Sequence, residues 1–391
     1  MRSLADRHLS LLLSKFELPT AFHAILGTSL FLFGNLIAQE SSLALDGEST
    51  NPALYWLTAL DVFETGENLP SRTSGTGYPD FPEDWRMAII WGRTLVCLAD
   101  DLANRQIQAR QQGEDPYNVY LDLEEPDWPR GSPFHAIAAQ RHPIMQRMSF
   151  TAATPNDLLV LAADQFSRGI FHMPHEKRPP SAAASELGWS PPHSQSASES
   201  PMLLTLPEMD DQFSRAKELH TIASEVLLVA EKLDTSSERH HWVNWADSVF
   251  SQIKMESASI LRSRGRCRLI AGAAFVEAIE AALEHGDMDV LRSEEAIDAR
   301  EDLSMAIDFF EHAKVNEGER ELHGRAPDTT VDADSRDLQL LLTEALVTLA
   351  NLTEDTNSRE ALYARAKTEA GSSIHLDLDD TDDGDRMDES H

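Results

Sequence analysis

Ala88-Ile-Ile-Trp-Gly-Arg-Thr-Leu95 and, further on, Ala162-Ala-Asp-Gln-Phe-Ser-Arg-Gly-Ile-Phe-His-Met-Pro174 are the two stretches on which the fold turns. In the first, large Trp91 and Leu95 alternate with small Ala88 and Gly92 at helical spacing. In the second, small, large and small residues follow at Ala162, Phe166 and Gly169, and Pro174 ends the run. A small residue on one helix leaves a hole, and an aromatic ring on the next can fill it only if the two helices come close. The same two patterns recur along the chain. The first type reappears as Leu30, Phe33, Gly34, Ile37, then as Leu219, Ile222, Ala223, Val226 and as Leu269, Gly272, Ala273, Val276. A weaker copy is Leu341, Glu344, Ala345, Thr348. The second type reappears as Ala59, Phe63, Gly66, as Ala246, Phe250, Ile253 and as Ala306, Phe310, Ala313.

Alternation of an A-type and a B-type helix in this order is the packing signature of tetratricopeptide-like repeats. The fold class read from it is all-α, a tetratricopeptide-like helical-repeat array with long insertions between helices. An irregular bundle would show the same i, i+3, i+4 faces but not the alternation. Spacing departs from the standard repeat of about 34 residues, because longer loops separate most pairs. Helices are predicted near 3–16, 21–40, 53–66, 84–109, 156–171, 209–232, 238–260, 264–284, 294–314, 336–352 and 358–370. Loops rich in Pro, Ser and Gly are predicted at 67–83, 111–133 and 177–207, with a polar insertion at 314–337. The domain reading is an N-terminal repeat half (1–176), a disordered Pro/Ser-rich linker (177–207), a C-terminal repeat half (208–372) and an acidic disordered tail (373–391). The last helix does not fit the B pattern and reads as a cap.

The 391 residues carry 33 basic and 66 acidic side chains, a net charge of −33. So acidic a surface repels nucleic-acid phosphate and anionic lipid and favours basic partners. Neither direct nucleic-acid binding nor membrane binding is expected. The closest approach to a membrane helix is Ala24 to Ala38, read as short of the ~18 residues required. Cys97 and Cys267 are distant thiols in apolar helical runs and read as structural residues of a reducing compartment.

No catalytic motif stands out. P-loop, dinucleotide and nucleophile-elbow patterns are all missing from the sequence. Of the 15 histidines, His172 and His175 are separated by a helix-breaking Pro174, and His240 and His241 point to different helical faces. Neither pair has metal-ligand spacing, so no catalytic residue, no cofactor and no metal are expected. Arg262, Arg264, Arg266 and Arg268 form the one dense basic cluster, read either as a possible partner contact or as a solvated helix start. A clamp for an acidic chaperone C-terminus needs basic residues on helix A; Asn35 is suitably placed, but Phe31, Ile89 and His220 occupy the other positions.

Three stretches of the C-terminal half are Glu294-Glu-Ala-Ile-Asp-Ala-Arg-Glu-Asp-Leu-Ser-Met-Ala-Ile-Asp-Phe-Phe-Glu-His-Ala-Lys314, Leu340-Leu-Leu-Thr-Glu-Ala-Leu-Val-Thr-Leu-Ala-Asn-Leu-Thr-Glu-Asp355, and Glu360-Ala-Leu-Tyr-Ala-Arg-Ala-Lys367. They resemble the fungal enhancer of translation termination family. The run from Ala163 to Pro174 and that from Gly27 to Glu40 fit as well. The resemblance implies a nuclear, non-enzymatic protein-interaction scaffold. Its implied partners are an oxygen-sensing prolyl hydroxylase using iron and 2-oxoglutarate, and the basic ribosomal protein that this enzyme modifies. The implied roles are correct translation termination and control of hypoxic gene expression. The family's short basic N-terminal segment has no counterpart before Leu4, so nuclear localisation rests on the resemblance. The alternative is a cytoplasmic co-chaperone or transport adaptor for basic proteins on the same fold.

Overall fold

In a computed structural model of the chain, the described residues are 20–44, 49–67, 85–116, 119, 153–175, 213–254, 257–322 and 329–371. Among them are eleven α-helices and no strand. They are α1 (Thr20–Gln39), α2 (Pro52–Glu67), α3 (Trp85–Gln111), α4 (Pro155–His172), α5 (Arg215–Ala230), α6 (Ser236–Phe250), α7 (Ala258–Ala273), α8 (Val276–Glu284), α9 (Glu294–Leu322), α10 (Thr329–Asn351) and α11 (Thr356–Ala370). The predicted helix at 3–16, the linker at 177–207 and the tail at 373–391 lie outside the described residues, as do most of the loops predicted at 67–83 and 111–133.

Local chemistry starts and stops these helices where the sequence allows. Thr154 and Asp157 form a reciprocal capping box ahead of Pro155 at the start of α4. Ser214, Ser257 and Asp355 accept from backbone N–H groups in the first turns of α5, α7 and α11. Gly113, at φ 75°, turns the chain out of α3, a left-handed conformation that glycine adopts without strain.

The helices pack as five antiparallel pairs: α1 with α2, α3 with α4, α5 with α6, α7 with α9, and α10 with α11. Each pair rests mainly on the pair before it and the pair after it. The chain is an all-α helical-repeat array. The last helix, read from sequence as a cap, is the second helix of the fifth pair. Two apolar cores run through the array. One links α1 to α7, from Ala24 to Ala271, and the other links α7 to α11, from Ala258 to Ala366. The first core crosses the position of the linker proposed at 177–207, and the cores meet at α7 instead.

Four sequence expectations are corrected. The helix predicted at 238–260 ends at Phe250, and Ser257 opens a new one. The helix predicted at 264–284 is two, α7 and α8, and α8 with a 3₁₀ turn at Met288–Arg292 separates the members of the fourth pair. The polar insertion predicted at 314–337 is mostly helix, since α9 continues to Leu322 and α10 begins at Thr329. Glu, Lys, Arg and Leu have high helix propensity, so a segment without an apolar stripe can still prolong a helix anchored elsewhere. Finally, α1 is long and apolar enough to cross a membrane by length and composition, with a mean hydropathy of 1.6. It nonetheless buries Ala24, Gly27, Leu30, Phe31, Gly34 and Ile37 in the core.

Candidate interaction surface

Close approach in the first, second and fourth pairs depends on glycines. A methyl group placed on Gly92 would lie 2.7 Å from the ring of Phe166. On Gly169 it would meet the Ile89 side chain at 2.5 Å. In the first pair, Phe63 fills the space over Gly27, and the Trp56 indole lies 2.6 Å from the site of a Cβ on Gly34. In the fourth, Phe310 covers Gly265 and Leu303 covers Gly272, at 2.5 and 2.7 Å. Ala59, Phe63, Ala162, Phe166, Ala223, Ala246, Phe250, Ala306, Phe310 and Ala313 are all fully buried. Trp91 is half-buried and stacks on Phe63 with ring centroids 6.1 Å apart, joining the first pair to the second. Phe33 is half-buried and meets Tyr55 edge-on at 4.9 Å.

These contacts shift the repeat register at two places. Phe63 sits on Gly27, not on Gly34, and Phe310 sits on Gly265, not on Ala273, which is only half-buried. In both pairs the A helix carries two glycines seven residues apart, and the aromatic ring lies on the earlier one. The later glycine takes the side chain seven residues before that aromatic: Trp56 before Phe63, Leu303 before Phe310.

Consecutive first helices of the pairs touch along the array, α1 to α3, α3 to α5, α5 to α7 and α7 to α10, while consecutive second helices make little or no contact. The array therefore curves with the A helices on the inside. The seam between these helices is polar. Arg93 of α3 forms a bidentate pair with Glu225 of α5 and stands 5.7 Å over the ring of Phe31 of α1. Asp100 binds Lys232 at 2.5 Å, and Arg110 binds Asp234. His220 of α5 lies within 3.5 Å of Ser224 and 3.4 Å of Ser263 of α7. Arg266 of α7 holds Glu231 at 2.8 Å, and Glu344 of α10 feels both charges. Burial raises the Glu225 carboxyl above its usual value even though Arg93 opposes the shift. For Arg93, burial pulls down but pairing with Glu225 wins, so its guanidinium stays charged more firmly than in water.

The arginine cluster is placed largely on carboxylates of the fold. Arg264 donates to Asp247 at 2.8 Å and lies 4.5 Å over the ring of Phe309. Arg268 bridges Asp247 and Asp302 at 2.6 and 2.9 Å, tying α7 to α6 and α9. Arg266 pairs with Glu231, and Arg262 lowers the pKa of His220 after the larger effect of burial. Of the three arginines paired with carboxylates, Arg266 keeps the most exposed side chain, 43%. Sequence reasoning missed Asp247 and Asp302, whose signal was two acids on helical faces otherwise apolar. Of the positions weighed for an acidic-peptide clamp, Phe31 and Ile89 are buried. The Asn35 amide oxygen accepts from the Trp56 indole at 2.9 Å and lies 3.7 Å from the Cys97 sulfur. Burial, the largest influence, pushes the Cys97 thiol up to about 12, so it carries almost no thiolate at neutral pH. Among the described residues, no group of three or more His, Cys, Asp or Glu is placed to hold a metal ion.

Helix pairs nested through small residues and stacked A helix on A helix define the class: a tetratricopeptide-like helical-repeat array. No protein-family model and no curated protein matches the chain. Among solved structures the chain is similar to the S. pombe nuclear import adaptor Nro1, at 12% identity and a TM-score of 0.43, over 96% of this chain and 87% of that one. At that score the likeness carries no inference about partners, and the class rests on the packing of this chain's own helices.

Proposed function

We propose that the chain is a non-catalytic nuclear scaffold for protein–protein interaction. In this reading it supports correct translation termination and regulates hypoxic gene expression through an iron and 2-oxoglutarate prolyl hydroxylase that modifies a basic ribosomal protein. The observation that carries the scaffold reading is the continuous inner surface of A helices, joined by side chains from α1 to α10. Solenoids present binding surfaces of this kind on their concave side. The net charge of −33 supports a basic partner, with attraction that speeds encounter and is screened by salt. The choice of hydroxylase and ribosomal protein is supported by the resemblance in helix faces at 294–314, 340–355 and 360–367. Iron chemistry belongs to the partner.

Calorimetric titration of the full chain with the purified ribosomal protein, and separately with the hydroxylase, at low and high salt tests the proposal. Binding of the ribosomal protein that weakens as salt rises is the expected result. Equal binding at both salt concentrations, or none at either, overturns the electrostatic docking.

A further inference from the structure

The middle A helix of the array turns a leucine toward the inner surface. Leu228 of α5 is 50% exposed. Helical spacing sets it opposite the buried Leu219, Val226 and Ala230, so it faces away from the core. Its neighbours one turn away on the same side are Ser224, Glu225, Glu231 and Lys232. Glu225 and Lys232 are tied to Arg93 and Asp100 of α3, and Glu231 is tied to Arg266 of α7. Leu228 therefore stands between two seams of the array, with ion pairs on both flanks. A lone exposed leucine is ordinary on a protein surface. One framed by charged groups already held in place by pairing has the arrangement of an interface anchor, an apolar centre inside a polar rim.

The charges on the α7 side of that leucine do not cancel. Arg266 bonds to Glu231 and is also felt by Glu344 of α10, so two carboxylates share one guanidinium. Among the described residues no cation forms an ion pair with Glu344, whose side chain faces solvent. Partial burial is the largest influence on the Glu344 carboxyl and raises it; Arg266 opposes the shift and Glu231 adds to it. A second cation at this place would be drawn by both carboxylates. Leu340, one turn before Glu344 on α10, is 51% exposed and adds apolar surface beside it. We infer that this part of the inner surface receives a partner segment in which an apolar side chain accompanies a basic one, the first packing on Leu228 and the second lying next to Glu344. The inference rests on the scaffold reading above and specifies the partner's chemistry: a basic segment interrupted by an apolar residue, not a run of charge alone. Charge draws the segment in, and the contact with Leu228 supplies affinity that salt does not screen.

Calorimetric titration of full-length variants with the purified ribosomal protein, at low and high salt, tests this assignment. Leu228→Gln and Glu344→Gln are each expected to weaken binding about tenfold at low salt. Leu228→Gln is expected to keep the salt dependence of the unaltered chain, and Glu344→Gln to flatten it. Val315→Gln, which removes an equally exposed apolar side chain from α9, is expected to bind like the unaltered chain. All three positions face solvent, and unchanged urea midpoints confirm that each variant folds. If either inner-surface variant binds as tightly as the unaltered chain, or Val315→Gln binds as weakly as they do, the inference is overturned and the scaffold reading stands. If the unaltered chain does not bind at all, both are overturned together.

Discussion

Replacing one hydrogen atom by a methyl group on a glycine would have opposite consequences at different places in this chain. Gly92→Ala would gain about 1 kcal/mol of helix propensity. Its Cβ would stand 2.7 Å from a fully buried Phe166 ring that has nowhere to move, and overpacking costs about 1–3 kcal/mol. A net loss of stability is expected. Gly318→Ala in α9 meets nothing within 4 Å and is expected to gain about 0.5–1 kcal/mol. Urea denaturation of both variants checks the two signs together. Residues of this kind were the most legible part of the sequence at the second pair, where Gly92 is the one glycine of its A helix and the Phe166 ring lies on it. At the first pair Gly27 and Gly34 both suited the pattern, and only the partner ring could decide. At the fourth the large positions beside Gly265 are Arg264 and Arg268, so a pattern that looked for apolar bulk passed them over.

Between elements, the same two arginines show what the fold gains from charge. Asp247 and Asp302 are 5% and 9% exposed, and Arg268 reaches both. Removing it leaves Asp247 to Arg264 alone and Asp302 without an arginine, and Arg268→Met is expected to cost about 3 kcal/mol. Arg266→Ala, at a more exposed pair, is expected to cost no more than about 1 kcal/mol. Equal losses in urea denaturation would refute the difference in burial. A pH effect belongs to the α3–α5 seam. Since burial raises the Glu225 pKa above its unfolded value of about 4.3, the folded state binds this proton more tightly than the unfolded one. The contribution of Glu225 to stability is therefore fullest below pH ~4.3 and declines as pH rises through the raised value. Glu225→Gln, which mimics the protonated form, is expected to gain on the unaltered chain over that window, read from urea midpoints at successive pH values. A growing advantage for Glu225 would contradict it. Helix ends at this scale were legible where a cap marked them, as at Thr154, and illegible where polar residues of high propensity carried α9 past 314.

At the scale of the whole molecule, stability passes from neighbour to neighbour. Phe310→Ala empties the space over Gly265 and is expected to cost about 3–5 kcal/mol. Because α7 is where the two cores meet, exchange of backbone amides is expected to quicken in α9 to α11 while α1 to α4 stay protected. Uniform acceleration would mean a single cooperative core instead. The array itself was readable from periodicity and alternation, which are local. Composition locates a polar segment at 177–207 but not which helices meet across that stretch of sequence, as Arg93 and Glu225 do. The same gap hid the inner seam, whose members are scattered over more than a hundred residues of sequence and become neighbours only by stacking. Zero-length carbodiimide coupling of the full chain to the lysines of the basic ribosomal protein, mapped by mass spectrometry, interrogates that seam most directly. Cross-links at Glu231 and Glu344 on the inner side are the expected outcome; cross-links confined to carboxylates of α9 and α11, or none, would contradict a docking surface on the A helices.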